Sequence, residues 1–479
     1  MQEKAEFSMS KIGLTLDKLY VQIIKVGPVA HSPKIQKLLG CLFALISAVA
    51  HCAESAIDGS IGFISNQLDT RVGDVPGNRF IGDSYFDYKK LSLDPDAPEN
   101  KDETPMIKRR LSLAAQINDQ SLLQYSVQEA YVSGKLSDKD FIKFGRHVID
   151  WSILDSSWGF GKINNRRNFN FFEPGYEGLT GLSYEHKGSN GMRYKVFASG
   201  LYIPEVNPPY DINKSNKTIK CRSPWCDAPA TSTTVDGDVK PIEYSVKYPS
   251  ISDVIFRYSF GFNIGWENQH WSFDNFYLRK PENNLTTEVT VALDPFRDVV
   301  KANIDPQVYY QDIVGSSLKY RNEDLLMYVS TFASRPSSFP DGDRQATEWT
   351  EIKTAKVRED YAGAGIQQVN ADFGMGLSYV ARLSPFNRNK AQLAQDPRWN
   401  QALNVFMTKN FGKLTLSGDA KYDMLTFDRL VMLRAAYNLT KSFMVNLGMN
   451  MIGTPSDGES YWSPYTNNDQ VYAGLRYVF

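Results

Sequence analysis

Several stretches of this chain alternate apolar and polar residues for longer than an ordinary strand lasts. In 413–424, Leu414, Leu416, Gly418, Ala420, Tyr422 and Met424 share one face, and Lys413, Thr415, Ser417, Asp419, Lys421 and Asp423 share the other. In 443–452, Phe443, Val445, Leu447, Met449 and Met451 oppose Met444, Asn446, Gly448, Asn450 and Ile452. The same holds in 372–383 and in 254–267, where Val254, Phe256, Tyr258, Phe260, Phe262, Ile264 and Trp266 oppose Arg257, Ser259, Gly261, Asn263, Gly265 and Glu267. A period of two is strand geometry. Soluble strands usually run about 5–6 residues, whereas a tilted strand that crosses a bilayer needs about 9–11. The alternating stretches have the second length, so the chain is constrained toward a sheet with one face for lipid and one for water.

Composition agrees. Mean hydropathy is −0.38, which excludes a bundle of membrane helices, and 13% of residues are aromatic. Strands favour aromatics, and membrane barrels concentrate them near the headgroups. A net charge of −1 gives no basic excess for nucleic acid. The acidic run 94–103 reads as a solvated loop.

Near the N-terminus, Lys34 and Lys37 precede an apolar run from Leu38 to Val49 that ends Ala48-Val49-Ala50. A basic region, a short apolar core and an Ala-x-Ala end predict a signal peptide over 34–53, cleaved after Ala50 or, less well, after Ala53. Residues 1–33 stand as an upstream extension of unclear role. Residues 54–104 read either as first strands or as a periplasmic or lumenal segment, and 105–479 as one barrel.

Counting back from the C-terminus, the pattern predicts strands near 469–479, 441–453, 427–438, 413–424, 400–410, 372–384, 361–370, 324–336, 311–321, 269–282, 252–268, 191–206, 178–188, 139–152, 121–136 and 105–119. That is an all-β, antiparallel transmembrane barrel of about 16 strands, with 14 or 18 as alternatives; 57–70 and 78–92 would supply the last two. Short connections (near 188–191, 269–270, 322–324, 410–412 and 438–441) roughly alternate with long polar ones (152–177, 207–250, 283–309, 337–360, 385–398 and 454–468). Short turns then face the periplasm and long loops the exterior.

The chain ends VYAGLRYVF. Val471, Leu475, Tyr477 and Phe479 lie on one face with Ala473, and Tyr472, Gly474, Arg476 and Val478 on the other. This end resembles the C-terminal sorting signal of bacterial outer-membrane β-barrel proteins of the porin-like type. The resemblance implies an outer-membrane location and recognition by the barrel-assembly machinery through an unpaired strand edge. The implied partners are outer-membrane lipids, lipopolysaccharide and small hydrophilic solutes, with a homotrimer as one assembly. The segment 145–175 resembles lumen-entering loops of large porin-like proteins.

Alternation assigns Lys108, Arg110, Arg193, Lys195, Arg257, Lys319, Arg321, Arg382, Lys413, Lys421, Arg434 and Arg476 to the lumenal face, against Glu267, Asp274, Asp419, Asp423 and Asp428. Charge rings set ion preference, so two readings follow: a pore that leans toward anions, or charges that pair across strands and keep the wall wet. Loop 152–177 offers Arg166, Arg167, Phe169 and Phe171 as a constriction, or else an extracellular cap. Tyr461, Trp462 and Trp399 read as headgroup anchors in preference to sugar platforms. Cys221 and Cys226 predict a disulfide closing a small loop. The five His are scattered, and no Cys/His cluster or Gly-rich phosphate loop appears; no cofactor or metal is expected.

Two other functions remain open. Residues 184–193 resemble the His-x-Ser-Asn-Gly motif of outer-membrane phospholipase, but His186 and Ser189 are three apart, which puts them on opposite faces of a strand. A scaffold or adhesin that binds a partner through its extracellular loops is the alternative to a channel.

Overall fold

The computed structural model describes residues 57–68, 78–88, 106–115, 123–167, 171–172, 175–205, 210–212, 217, 219–221, 225, 229–336, 350–353, 358–370, 372–385, 397–440, 442–455, 460–466 and 468–478. The signal-peptide segment, the upstream extension, Phe169, Cys226 and Phe479 lie outside them, as do the side chains of Lys108, Arg110, Arg167, Cys221 and Tyr477.

Among the described residues the wall is one sheet in which 18 strands are seen. In chain order these are β1 (Ile57–Leu68), β2 (Asn78–Tyr88), β3 (Met106–Ala115), β4 (Leu123–Lys135), β5 (Asp140–His147), β6 (Leu179–Lys187), β7 (Met192–Ser199), β8 (Ser259–Glu267) and β9 (Trp271–Pro281). They continue as β10 (Tyr310–Arg321), β11 (Leu325–Pro336), β12 (Glu359–Val369), β13 (Phe373–Arg382), β14 (Gln401–Phe411), β15 (Leu414–Asp423), β16 (Arg429–Asn438), β17 (Phe443–Gly453) and β18 (Gln470–Val478). From β3 onward each strand pairs antiparallel with the next, as in β8–β9, β11–β12 and β17–β18. β1 pairs with β2 and, from Ser60↔Val478 to Leu68↔Gln470, with β18, which closes the wall. The strands that begin at Ile57 and Asn78 carry the sheet beyond the sixteen expected from the pattern.

The wall is turned inside out relative to a soluble protein. On β8, Phe260, Phe262, Ile264 and Trp266 are exposed outward while Ser259, Gly261 and Asn263 are buried inward. β13, β14 and β18 repeat the arrangement, with Met375, Leu377, Val405, Met407 and Val471 outward and Ser378, Asn404 and Gln470 inward. Apolar side chains on this scale face water only at a large free-energy cost, so the outer face is the lipid face. No helix among the described residues is long and apolar enough to cross a membrane.

Three short turns on one side share a device. The Oδ1 of Asn268 accepts from the backbone N–H of His270 and Trp271, Asn322 from Asp324 and Leu325, and Asn370 from Asp372 and Phe373. Such side-chain mimicry of a backbone turn is why asparagine recurs there.

The long side departs from the sequence expectation in several places, and the strands expected over 139–152 and 191–206 already stop at His147 and Ser199. Residues 251–255 form helix α2 (Ile251–Ile255), capped by Ser250 Oγ accepting from Asp253 N, so β8 begins only at Ser259. Arg257 therefore follows the helix and donates to the Asp253 carbonyl; it does not stand in the inward row. Connections expected to be polar loops also contain a second sheet of five strands: Ser232–Val235, Asp238–Val246, Thr286–Asp294, Val299–Gln307 and Thr350–Lys353. Its small core joins Ile242, Tyr244, Val300 and Ala302. The alternation there was visible (Thr287, Val289, Val291 and Leu293 alternate with polar or small residues), and at nine residues the strand is as long as wall strand β8, so period and length alone do not separate this sheet from the wall.

Candidate functional site

The lumen is where chemistry-bearing side chains meet. Its main occupant is the connection between β5 and β6, residues 148–178. Within it lies helix α1 (Ile153–Trp158), whose N-cap Ser152 accepts from Asp155 N at 3.2 Å. The Asp155 carboxylate turns the chain back by accepting from the N–H groups of Lys162 (2.8 Å) and Ile163 (3.2 Å). Burial pushes this carboxyl above the usual range, and the two N–H donors oppose the shift.

The loop lies on the inner face of the wall. Leu154 is fully buried and Trp158, Phe160 and Ile163 nearly so. Two wall glycines admit it: a Cβ on Gly363 would stand 2.5 Å from Leu154 Cδ1, and one on Gly261 2.9 Å from Trp151. Phe160 packs on Tyr361 of β12 (ring centroids 4.3 Å) and on Phe332 of β11 (5.4 Å). The cluster also takes in Phe276, Leu278, Ile313 and Val380 from β9, β10 and β13.

A second set of residues locks the loop from above. Arg398 donates to the Gly159 carbonyl (2.9 Å) and the Phe171 carbonyl (3.1 Å), and its guanidinium stands 4.9 Å from the Trp462 ring centroid. Arg166 donates to the same Gly159 carbonyl at 2.8 Å, and its backbone N–H donates to Glu205. Burial, with the charge of Arg166 beside it, pulls Arg398 down to about 10. Phe171 stacks on Trp225 at 5.0 Å and meets Tyr465 edge-on at 4.8 Å. Four long connections thus meet here, and Arg166 and Arg398 share the half-buried Gly159 carbonyl.

These contacts correct two expectations. Arg166 and Phe171 are buried against protein and are not turned toward an open passage. Trp399, Trp462 and Tyr461 are buried in the same cluster and do not anchor at a headgroup zone. Among the residues that hold the loop, Arg398, Glu205 and Trp225 carried no signal in the sequence, because each acts on a partner far away in the chain.

The lumenal charges of the wall are mostly paired. Arg193 binds Asp274 (2.7 Å) and Glu267 (3.1 Å), and Lys319 reaches the same Asp274 at 3.5 Å. Lys195 meets Asp150 of the inserted loop at 3.6 Å, and Lys421 meets Asp419 at 3.3 Å. Arg434 donates to the Tyr472 hydroxyl and Arg382 to the Arg358 carbonyl. Arg321 is exposed at the turn, while Arg476 is partly buried on the inward row of β18. His186 bonds Asp140 at 2.8 Å, and Ser189 sits in the following turn. Among the described residues no group of side chains is arranged to hold a metal ion.

No family model and no curated protein matches the chain. Among solved structures it resembles mutants of Rhodopseudomonas blastica porin. One, a triple mutant, matches at 9% identity and a TM-score of 0.38 over 88% of this chain and 99% of that one. A second mutant of the same porin matches at 9% identity and a TM-score of 0.39 over the same shares. At that identity and score the likeness is of one barrel to another and goes no further.

Proposed function

We propose that the protein is an outer-membrane pore through which ions and small hydrophilic solutes diffuse passively, narrowed by loop 148–178. The observation that carries this reading is the inverted wall with a loop packed on its inner face: lipid-compatible outside, and inside a set of charged and polar side chains beside the apolar seat of the loop, which restricts the lumen from within. Because Arg193, Lys195, Lys319 and Lys421 each have an acidic partner, the preference for anions is weak. Planar-bilayer recording tests both parts. Stepwise ohmic conductance with a small chloride-directed reversal potential in a salt gradient is expected; absence of steps refutes the pore, and a strong cation potential refutes the charge argument.

One observation favours a second reading, a scaffold that binds a partner outside the cell. The five-stranded sheet presents Phe296 with 98% of its surface exposed, between Leu293 and the ion-paired Arg297. A barrel that does not conduct but loses cell-surface adhesion on Phe296→Ser supports that reading over the pore.

A further inference from the structure

The histidine and serine that lie close in sequence, His186 and Ser189, are set apart by the fold: His186 is held by Asp140 at 2.8 Å, and Ser189 lies in the following turn. A different pair meets on the inner face of the wall. His147, at the end of β5, brings its Nε2 to 2.5 Å from the Ser183 hydroxyl of β6. In the strand register His147 stands opposite Leu179, and Ser183 opposite Lys143. The ring therefore lies back along its own strand to reach Ser183.

Three features fix the pair. The other ring nitrogen, Nδ1, is 3.1 Å from the Gly145 carbonyl oxygen. A carbonyl only accepts, so in the neutral ring Nδ1 carries the proton, Nε2 keeps a lone pair, and the Ser183 hydroxyl is the donor. The ring is held edge-on between Tyr131 (5.9 Å) and Phe197 (5.8 Å) and is 3% exposed. Gly145 lies at φ 123°, and a Cβ there would stand 2.3 Å from the Ala130 carbonyl oxygen, so the position that anchors the ring admits only glycine. Ser183 itself is half-buried on the inward row, between the outward Leu182 and Tyr184 and opposite Lys143.

A serine hydroxyl that donates to an immobilised imidazole of this tautomer is a weak nucleophile made stronger, because its proton has somewhere to go as the oxygen attacks. A histidine buried for packing alone needs no such hydroxyl on the lumenal surface. The cation on Lys143, in the neighbouring position of the sheet, suits the negative charge that an attacked carbonyl develops.

We infer that Ser183 and His147 form a nucleophilic centre in the lumen that hydrolyses small water-soluble esters. Ser183 Oγ adds to the ester carbonyl carbon as its proton passes to His147 Nε2. The bond from that carbon to the alcohol oxygen then breaks, and the leaving alcohol takes the proton from Nε2. Water adds to the acyl-serine, giving one proton to Nε2, which returns it to Ser183 Oγ as the acid departs. The substrate is small because loop 148–178 narrows its path, and water-soluble because Ser183 faces away from lipid.

Entry through the lumen rests on the pore reading, and the chemistry is read separately from conduction. The full barrel in mild detergent is treated with a small fluorophosphonate, the modified residue is located by peptide mass spectrometry, and hydrolysis of p-nitrophenyl acetate is followed alongside. A single label on Ser183 is expected, with hydrolysis above the buffer rate. Ser183→Ala is expected to abolish both, and His147→Gln to slow both about a hundredfold, as for loss of a general base. Ser189→Ala, in the exposed turn, is expected to leave both unchanged. Ser183→Ala removes a single oxygen, so it tests the centre without relying on the folding of His147→Gln. Labels spread over several surface hydroxyls overturn the proposal, as does a Ser183 label that forms equally fast in His147→Gln. So does release of fatty acid from phospholipid vesicles without hydrolysis of p-nitrophenyl acetate, which would put the chemistry on the lipid face. A barrel that conducts but takes no label overturns this inference and leaves the pore standing; one that is labelled at Ser183 but does not conduct does the reverse.

Discussion

The inserted loop 148–178 and the five-stranded sheet of 232–246, 286–307 and 350–353 arise on the same side of the wall from connections of similar polarity. They bury their apolar residues in opposite places. The loop sends Leu154, Trp158, Phe160 and Ile163 into the wall and keeps little core of its own. The sheet packs Ile242, Tyr244, Val300 and Ala302 among themselves and leaves Phe296 and Val239 in solvent. The difference lies in where the chain finds a partner surface. A strand pairs its own backbone groups with the next strand and needs only a few apolar side chains to hold a hairpin stack. A non-repeating loop has no such ladder, so its order depends on anchors: large side chains in fitted sites, and charged groups on its exposed carbonyls. The loop should therefore fail when single anchors are removed, and the sheet should not.

The largest effect is expected at Leu154. It is fully buried and touches the wall where Gly363 makes room. Leu154→Ala is expected to destabilise the packed loop by about 2–5 kcal/mol, as for other leucine truncations in a core. The readouts are a raised single-channel conductance with more open-state noise and a lowered temperature for the gel-mobility change of the folded barrel. Unchanged conductance with a lowered transition temperature would show that the loop stabilises the wall without narrowing it.

Gly363→Val attacks the same contact from the wall. A Cβ there would also stand 2.7 Å from the Tyr379 carbonyl oxygen, so the wall cannot yield freely and Leu154 must move. Overpacking of this kind costs about 1–3 kcal/mol. The conductance is expected to rise, by less than in Leu154→Ala. A return toward the original value in the double variant Gly363→Val with Leu154→Ala would show that the two residues act through one contact; additive effects would separate them.

How much of this was readable in the sequence follows the same division. From β9 onward every wall strand coincides with an alternating stretch to within a few residues, because lipid on one side and water on the other impose period two on each strand alone. The exception at 251–258 is instructive: Val254, Phe256 and Tyr258 continue the alternation of β8, but Ser250 caps a helical turn before the strand begins. That the loop buries aromatics was visible in Phe171 and Phe172, yet its other anchors were not. Phe160 packs on Phe332 and Tyr361, and Arg398 donates to Gly159 and Phe171; nothing local in the sequence marks such distant pairs. Inward bases were also readable as a row, whereas their neutralisation was not. Asp274 serves both Arg193 and Lys319 only because β7 and β10 lie on either side of the β8–β9 hairpin.

That shared aspartate gives a smaller and more specific effect. Asp274→Asn removes one negative charge from between two bases and leaves the loop untouched. The reversal potential in a salt gradient is expected to move toward chloride, with conductance nearly unchanged. Arg193→Gln is expected to move it the other way. If neither shifts, the ions pass along a part of the lumen out of reach of this cluster, beyond the screening distance of about 8 Å at physiological salt.

The smallest effect on the pore is expected at Phe296, and that is why the residue is informative. Its ring is 98% exposed at the turn between the strands Thr286–Asp294 and Val299–Gln307. The turn does not depend on the ring: Asp294 accepts from the N–H groups of Phe296 and Arg297, and Lys301 binds Asp294 at 2.8 Å. Phe296→Ser is therefore expected to leave conductance and reversal potential unchanged, and to change the stability read from the gel-mobility transition by no more than about 0.5 kcal/mol, the range of surface substitutions. A change in conductance would mean that the outer sheet communicates with the inserted loop, and the contrast between an anchored loop and a self-supporting sheet would fall. An unchanged pore whose cell-surface adhesion drops would divide the molecule's work between them, with passage governed at Leu154 and Gly363 and contact made at Phe296.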